Sequence, residues 1–227
     1  QIDRAQYGRF AGQPYLGAAD YKMVHHCRSG YSVYTFCMCP GGVVVAAASE
    51  PGHLVTNGMS EFARNRPNSN SALLVGVTKR EFGSDHPLAG IAFQRTWESR
   101  AFKAGGRGYH APVQLVGDFL AGRESRSLGR VAPSYRPGVV PGDLRECLPP
   151  YVIDALKEAL PAFDRKLRGF ATTEAVLTGV ETRSSCPVRI VRDDRFQTSL
   201  PGLYAIGEGA GYAGGIMSSA VDGMKAA

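Results

Sequence analysis

Pro201-Gly-Leu-Tyr-Ala-Ile-Gly-Glu-Gly-Ala-Gly-Tyr-Ala-Gly-Gly-Ile-Met-Ser-Ser-Ala-Val-Asp-Gly-Met-Lys-Ala-Ala227 is the stretch whose reading decides the fold. Leu203 to Ile206 is a short apolar run with the character of a buried strand. Gly207, Glu208 and Gly209 open a glycine-dense turn that carries one carboxylate. A helical pattern then begins near Gly215, with Ile216, Ala220 and Met224 on one face. In open α/β sheets a ligand sits at the carboxyl end of such a strand, where glycines admit its close approach. The next helix aims free N–H groups at its anionic atoms. The chemistry this implies is nucleotide-cofactor binding.

Gly209 to Gly214 also spells G-x-G-x-x-G, which after a strand and before a helix is a dinucleotide fingerprint. Read that way, the segment would be an NAD(P)-binding Rossmann turn. That reading needs a βαβ unit of roughly thirty residues and an acidic ribose ligand about twenty residues further on. Glu208, placed between the first glycines, does not belong to it. A third reading leaves the glycines to a tight turn on a basic, non-enzymatic interaction module.

Gly-Leu-Tyr-Ala-Ile-Gly-Glu followed by Gly-Gly and a helix resembles the second, C-terminal FAD signature of flavoproteins built on the glutathione-reductase plan. The resemblance continues through Thr35-Phe-Cys-Met-Cys-Pro-Gly-Gly42, Val55-Thr-Asn-Gly-Met-Ser60, Asn70-Ser-Ala-Leu-Leu-Val75, His86-Pro-Leu-Ala-Gly90 and Thr178-Gly-Val-Glu-Thr-Arg-Ser-Ser185. These strings are similar to a bacterial family of uncharacterised FAD-dependent dehydrogenases. Glu rather than Asp after the glycine resembles the aminoacetone-oxidase-like branch. Such proteins carry an N-terminal Rossmann half whose own G-x-G-x-x-G holds the ADP part of FAD. The resemblance therefore implies that the chain is a C-terminal portion of a larger flavoprotein, inactive and colourless alone, whose partner is the missing Rossmann half.

It also implies roles. Gly207, Glu208 and Gly209 would meet the ribityl or pyrophosphate region, Glu208 accepting a hydroxyl hydrogen bond. Gly214, Gly215 and Ile216 would present helix-start N–H groups to the flavin's pyrimidine edge. Glu181-Thr-Arg-Ser-Ser185 corresponds to a segment near the isoalloxazine, with Glu181 a cofactor contact and Arg183 a candidate to neutralise reduced flavin or clamp a substrate carboxylate. The implied activity is an FAD-dependent oxidoreductase acting on a small-molecule substrate, with NAD(P) as a candidate electron partner.

Composition sets outer bounds. The 227 residues are 44% hydrophobic and 20% charged, ordinary for a globular protein, and can bury a substantial core. No apolar run approaches the roughly eighteen residues of a membrane helix, so no membrane partner and a cytoplasmic location are expected. The net charge of +6 comes from arginines interleaved with acids, without a dense basic tract, and argues against nucleic acid. Five cysteines, an odd count, make no disulfide framework. Cys37 and Cys39 would share one face of a strand, and C-x-C is neither a thioredoxin-like nor a zinc spacing, so both are expected to be structural. His25-His26 invites a zinc reading that surface or structural roles outweigh. No metal site is expected.

Along the chain, Tyr31–Met38 and Val43–Ala48 read as a strand pair closed into a hairpin by Pro40-Gly-Gly42. Ala72–Val77 reads as a further strand, and the region from Pro87 to Ala104 as a helix stopped by Gly105-Gly106. Val113–Leu120 reads as a short helix and Ser125–Gly142 as a crossing loop. A helix starts at Pro149-Pro150 and is interrupted at Pro161. Strands at Ala175–Leu177, Val188–Val191 and Leu203–Ile206 follow. The resulting fold class is α+β. An inserted cap or substrate domain with a mixed sheet and helices takes residues 1–169, and the C-terminal portion of a Rossmann-like FAD-binding domain takes residues 170–227.

Overall fold

A computed structural model describes residues 2–227 and shows an α+β protein that divides into two compact units. The larger is the chain up to Gly76 together with Trp97–Glu181; the smaller is Val77–Thr96 with Thr182–Ala227. The chain passes between these units at 76/77, 96/97 and 181/182, and Val176–Thr178 pairs into a sheet of the larger one. Among the described residues, no helix is long and apolar enough to cross a membrane.

The larger unit opens with a short helix, α1 (Ile2–Tyr7), and a 3-10 turn. Strands β1 (Val24–His26), β2 (Ser32–Cys39), β3 (Gly42–Ala46), β4 (Thr56–Ser60) and β5 (Asn70–Val75) follow. β2 is central in an antiparallel sheet of order β1-β2-β5, while β3 pairs only with β4. The expected hairpin of β2 with β3 therefore does not form. The register of β2 on β5 slips between Phe36 and Cys39, and Cys37 takes a left-handed backbone (φ 44°), so the chain leaves one sheet before it enters the next.

Further along come α2 (Lys79–Phe82), α3 (Ala89–Ala104), β6 (Ala111–Leu115), α4 (Val116–Ala121), β7 (Val139–Pro141), α5 (Pro150–Lys166), β8 (Val176–Thr178) and α6 (Ile216–Ala226). β6 lies between β7, parallel, and β8, antiparallel. Val113 and Gln114, read from sequence as helical, are buried residues of this central strand, and only α4 is helix. Helical propensity is a weak prior, and two ladder partners override it.

Pro161 does not end the helix either. α5 runs unbroken from Pro150 to Lys166. A proline inside a helix costs about 3 kcal/mol through its lost hydrogen bond and ring clash. Its neighbours Leu160 and Phe163 are buried, each worth about 1.5–3 kcal/mol, so packing outweighs the break. The buried face of α5, with Ile153, Leu156, Leu160 and Phe163, meets Met23, Val33, Val116 and Phe119 in the main core. A second core gathers Leu54, Ala101, Ala111, Leu144, Cys147 and Val180.

In the smaller unit, Val188–Val191 forms no strand. Leu203–Ile206 makes one isolated bridge, Gln197 to Tyr204, flanked by Thr198 N–H to the Leu203 carbonyl at 2.8 Å and Ala205 N–H to the Phe196 carbonyl at 3.1 Å. The run expected to be a buried strand is largely exposed at Leu203, Tyr204 and Ile206. Apolar residues in sequence are a strand only where neighbouring strands extend the ladder, and the pairing with residues 196–198 is too short to make one.

Candidate cofactor site

The turn after Ile206 is built by a charged clamp. Arg192 donates through Nη1 and Nη2 to the two carboxylate oxygens of Asp222 on α6, both at 2.7 Å, and through Nη1 to the carbonyl of Ala205 at 2.6 Å. The same carboxylate accepts the Gly207 N–H at 2.7 Å. Beneath the guanidinium lies the Tyr212 ring, 3.7 Å to its centroid. The Arg192 hydrogen bonds, and then the Gly207 N–H, hold the Asp222 carboxyl at about 2. One arginine and one aspartate thus fasten the segment at Ala205, the turn and the helix to one another.

Glycine is required within the turn. Gly207 has φ 73° and Gly211 φ 79°, and a Cβ at Gly211 would lie 2.2 Å from the Val188 carbonyl oxygen. Gly211 N–H closes onto the Glu208 carbonyl at 2.9 Å, while Arg189 Nε reaches the Gly211 carbonyl at 3.2 Å. Beside the turn, Tyr212, Met217, Asp222 and neighbouring residues line a groove of about 390 Å³.

The expected site residues take distinct places in this arrangement. Gly207 is buried in the clamp, and Glu208 and Gly209 face outward. Gly214 is exposed and Gly215 caps α6, but the Gly215 N–H is taken by Ser218 Oγ at 3.1 Å, so it does not point outward as expected. Ile216, at 82% exposure, sits at the helix start. Arg183 belongs to this unit and is half-buried; Glu181 belongs to the larger one. Arg192, Tyr212 and Asp222 escaped the sequence reading. An arginine and an aspartate thirty residues apart form no motif, and only the aspartate's place on the helix after the turn hints at a clamp.

In the larger unit, Glu181 follows the buried Val180, whose carbonyl accepts the Thr56 N–H at 2.9 Å. Burial pushes its carboxyl up to about 7. Its charge in turn raises the Cys37 and Cys39 thiols, which burial raises first. The two cysteines do not share a strand face. The bulge turns Cys37 out to solvent, and Cys39, half-buried, donates from Sγ to the Cys37 carbonyl at 3.1 Å. The next residues explain Pro40-Gly-Gly42. A Cβ at Gly41 would stand 2.0 Å from the Arg64 carbonyl oxygen, and one at Gly42 2.5 Å from that of Met59.

Around this bulge the structure carries marks of a site. Cys37 and Arg64 both hold left-handed backbones, unfavourable for residues with a Cβ. Asn70 Nδ2 is buried without a hydrogen-bond partner. A carboxyl that titrates near neutrality is a further mark of function.

Residues 1–184 match the family described as FAD-dependent protein, C-terminal domain-like. The chain belongs to that family. A relative from Clostridium beijerinckii (strain ATCC 51743 / NCIMB 8052), itself an uncharacterised protein, is 54% identical over 228 residues. The alignment covers 100% of this chain and 43% of the relative, so the chain spans less than half of its relative's length. The family match ends at 184, close to where the chain passes at 181/182 into the smaller unit. The family points to FAD, and nothing in these comparisons supports NAD(P).

Proposed function

We propose that the chain is the C-terminal portion of an FAD-dependent oxidoreductase, a dehydrogenase akin to the aminoacetone-oxidase-like branch. On this reading the larger unit is the inserted, substrate-side domain, and residues 182–227 return to a Rossmann-like FAD-binding domain completed by sequence outside this chain. The observation that carries the reading is the clamped turn: Gly207 fixed by Asp222 and Arg192, with Glu208 turned outward beside the start of α6. A short bridged segment, a glycine turn, an outward acid and a following helix suit a dinucleotide's ribityl and pyrophosphate region.

Bound FAD would supply acceptance of a hydride or an electron pair. The residues of this chain do the rest. Glu208 accepts a hydroxyl hydrogen bond, and the clamp keeps the turn from relaxing away from it. Gly207 and Gly209 leave room for close backbone approach. Arg183 offers a fixed cation for a substrate carboxylate. Glu181, half protonated near pH 7, can hold or release a proton for a small substrate at physiological pH.

The exposed apolar residues support the same reading. Leu203, Tyr204, Ile206, Ile216, Val221 and Met224 are exposed, and the rest of an FAD-binding domain would cover them. Glu208→Ala in the full-length protein should weaken FAD binding roughly ten- to a hundredfold, the worth of a hydrogen bond to a charged group. Flavin fluorescence titration measures this, with the melting temperature as a control on the clamp. Unchanged affinity would assign Glu208 to solvent and remove the reading.

A further inference from the structure

One group of ligand-type side chains belongs to neither the clamped turn nor the Cys37 bulge. His25 is on β1, and Cys27 begins the tight turn between β1 and β2, closed by Cys27 N–H to the Tyr31 carbonyl at 2.8 Å and Gly30 N–H to the Cys27 carbonyl at 3.0 Å. Glu158 lies on α5, far away in sequence. A ring nitrogen of His25, Cys27 Sγ and a carboxylate oxygen of Glu158 all lie within 4.8 Å of one another.

Each group already has a partner. His25 Nε2 stands 3.1 Å from Glu158 Oε1. Arg28 N–H donates to both Glu158 oxygens at 3.1 and 3.4 Å, and Arg28 Nε approaches to 3.9 Å. Cys27 Sγ is 3.6 Å from the Ala155 carbonyl. These bonds fasten the turn to α5 and hold the three ligand atoms around one point.

The spacing suits a small tetrahedral ion. Bonds of about 2.0–2.3 Å to zinc place neighbouring ligand atoms roughly 3.3–3.8 Å apart, so about an ångström of side-chain torsion closes the set. Thiolate, imidazole and carboxylate together favour zinc over calcium or magnesium, which take oxygen ligands alone. The charges also balance, because a divalent ion offsets the thiolate and the carboxylate, while the Arg28 side chain is 94% exposed at the rim. His25 and Glu158 are half-buried, and Cys27 supplies the buried anchor.

We propose that His25, Cys27 and Glu158 form a divalent transition-metal site, zinc by its ligand set, with water in the fourth position. The ion joins the β1–β2 turn to α5, and its binding releases the Cys27 thiol proton.

The test uses the intact protein, stripped with a chelator and titrated with Co²⁺ and then Zn²⁺. One Co²⁺ per chain with a thiolate-to-cobalt charge-transfer band, displaced by Zn²⁺, is expected. Cys27→Ser should abolish that band. His25→Asn and Glu158→Gln should each weaken Co²⁺ binding at least about tenfold, the effect of losing even an outer-shell partner. His25 lies outside the core, so its variant keeps the test decisive if Cys27→Ser fails to fold. A Cys37→Ser, Cys39→Ser double variant should keep the band. No thiolate band in the wild type overturns the proposal. So does a band lost with Cys37 and Cys39, or one whose affinity is unmoved in His25→Asn and Glu158→Gln.

Discussion

The two compact units differ in how much apolar side chain they bury. In the larger, Val33, Ala155, Ala159 and Phe163 are wholly inaccessible, and side chains from helix and sheet interlock into two cores. In the smaller, the buried apolar residues among those described are Ala89, Ala205 and Ala210, alanines all. Its large apolar side chains are half-buried, as at Phe82, Phe93 and Phe196, or face outward, with Val191 81% and Met224 79% exposed. The turn of the smaller unit is fastened by the ion pair of Arg192 with Asp222 and its bond to the Gly207 amide, while Phe82 packs on Phe93 elsewhere in the unit. A core that closes on itself marks a segment carrying its own folding information. On the proposed reading, the outward apolar residues around the clamp are covered in the longer protein.

The comparison breaks most readily at Phe163. Truncating Phe163→Ala leaves a cavity among Val33, Phe119 and Phe170 and should cost about 3–5 kcal/mol. Denaturant unfolding of the chain measures it. A loss under about 1 kcal/mol would mean that the larger unit's core is not what holds it.

Next in size is an acid that the same unit buries at a penalty. The Glu181 carboxyl is raised from 4.5 to about 7, so the folded chain binds the proton more tightly than the unfolded one. Stability is then greatest below pH 4.5, falls as pH rises through about 7, and is flat above that. Glu181→Gln should flatten the fall and make the protein more stable at pH 8 by up to about 3 kcal/mol. Melting curves across pH 4–9 check this. An unchanged slope would place the Glu181 carboxylate in water.

The clamp responds in the opposite sense. Asp222 is depressed from 3.8 to about 2, so its contribution is complete above pH 3.8 and disappears as pH falls through about 2. Arg192→Ala and Asp222→Asn should both loosen the segment from Leu203 to Gly215, speeding amide exchange and protease nicking there while leaving α5 protected. Equal protection in variant and wild type would show that the turn stands without its clamp.

Much of the larger unit was legible in the sequence, because its signals are local. Strand alternation at Tyr31–Met38, the Gly105-Gly106 stop and the apolar face of α5 each announce an element without reference to distant partners. The errors fall where partners decide. Val113 looked helical until β7 and β8 flanked it, and Pro161 looked like a break until Leu160 and Phe163 were seen buried. Leu203–Ile206 reads as a strand because its composition is that of one, yet the described residues give it a single bridge. Within the site, Gly207 and Glu208 were legible as a motif. Asp222 and Arg192 were not, since an ion pair between a loop and a helix leaves no spacing to read. The bulge at Cys37 was hidden as well, and the glycines after it, Gly41 and Gly42, are set by close approach of Arg64 and Met59, residues remote in sequence.

The smallest effect bears most directly on the contrast. Ile216 and Met224 stand on the outward face of α6, at 82% and 79% exposure, so neither contributes burial within this chain. In the 227-residue chain, Ile216→Ser with Met224→Ser should therefore change stability by no more than about 0.5 kcal/mol, the usual range for surface substitutions. It should also reduce self-association, which an uncovered apolar face promotes. In the longer protein the same pair should be costly. Covering each side chain there is worth about 1.5–3 kcal/mol, and replacing it with a hydroxyl forfeits that gain. Melting and sedimentation of both variants, short and full-length, measure the difference. If the pair is silent in both, the outward face of α6 is ordinary surface, and the smaller unit needs nothing further to be complete. If it is silent in the chain and destabilising in the longer protein, the apolar residues that this unit leaves outside belong to a core it shares with the rest of the sequence.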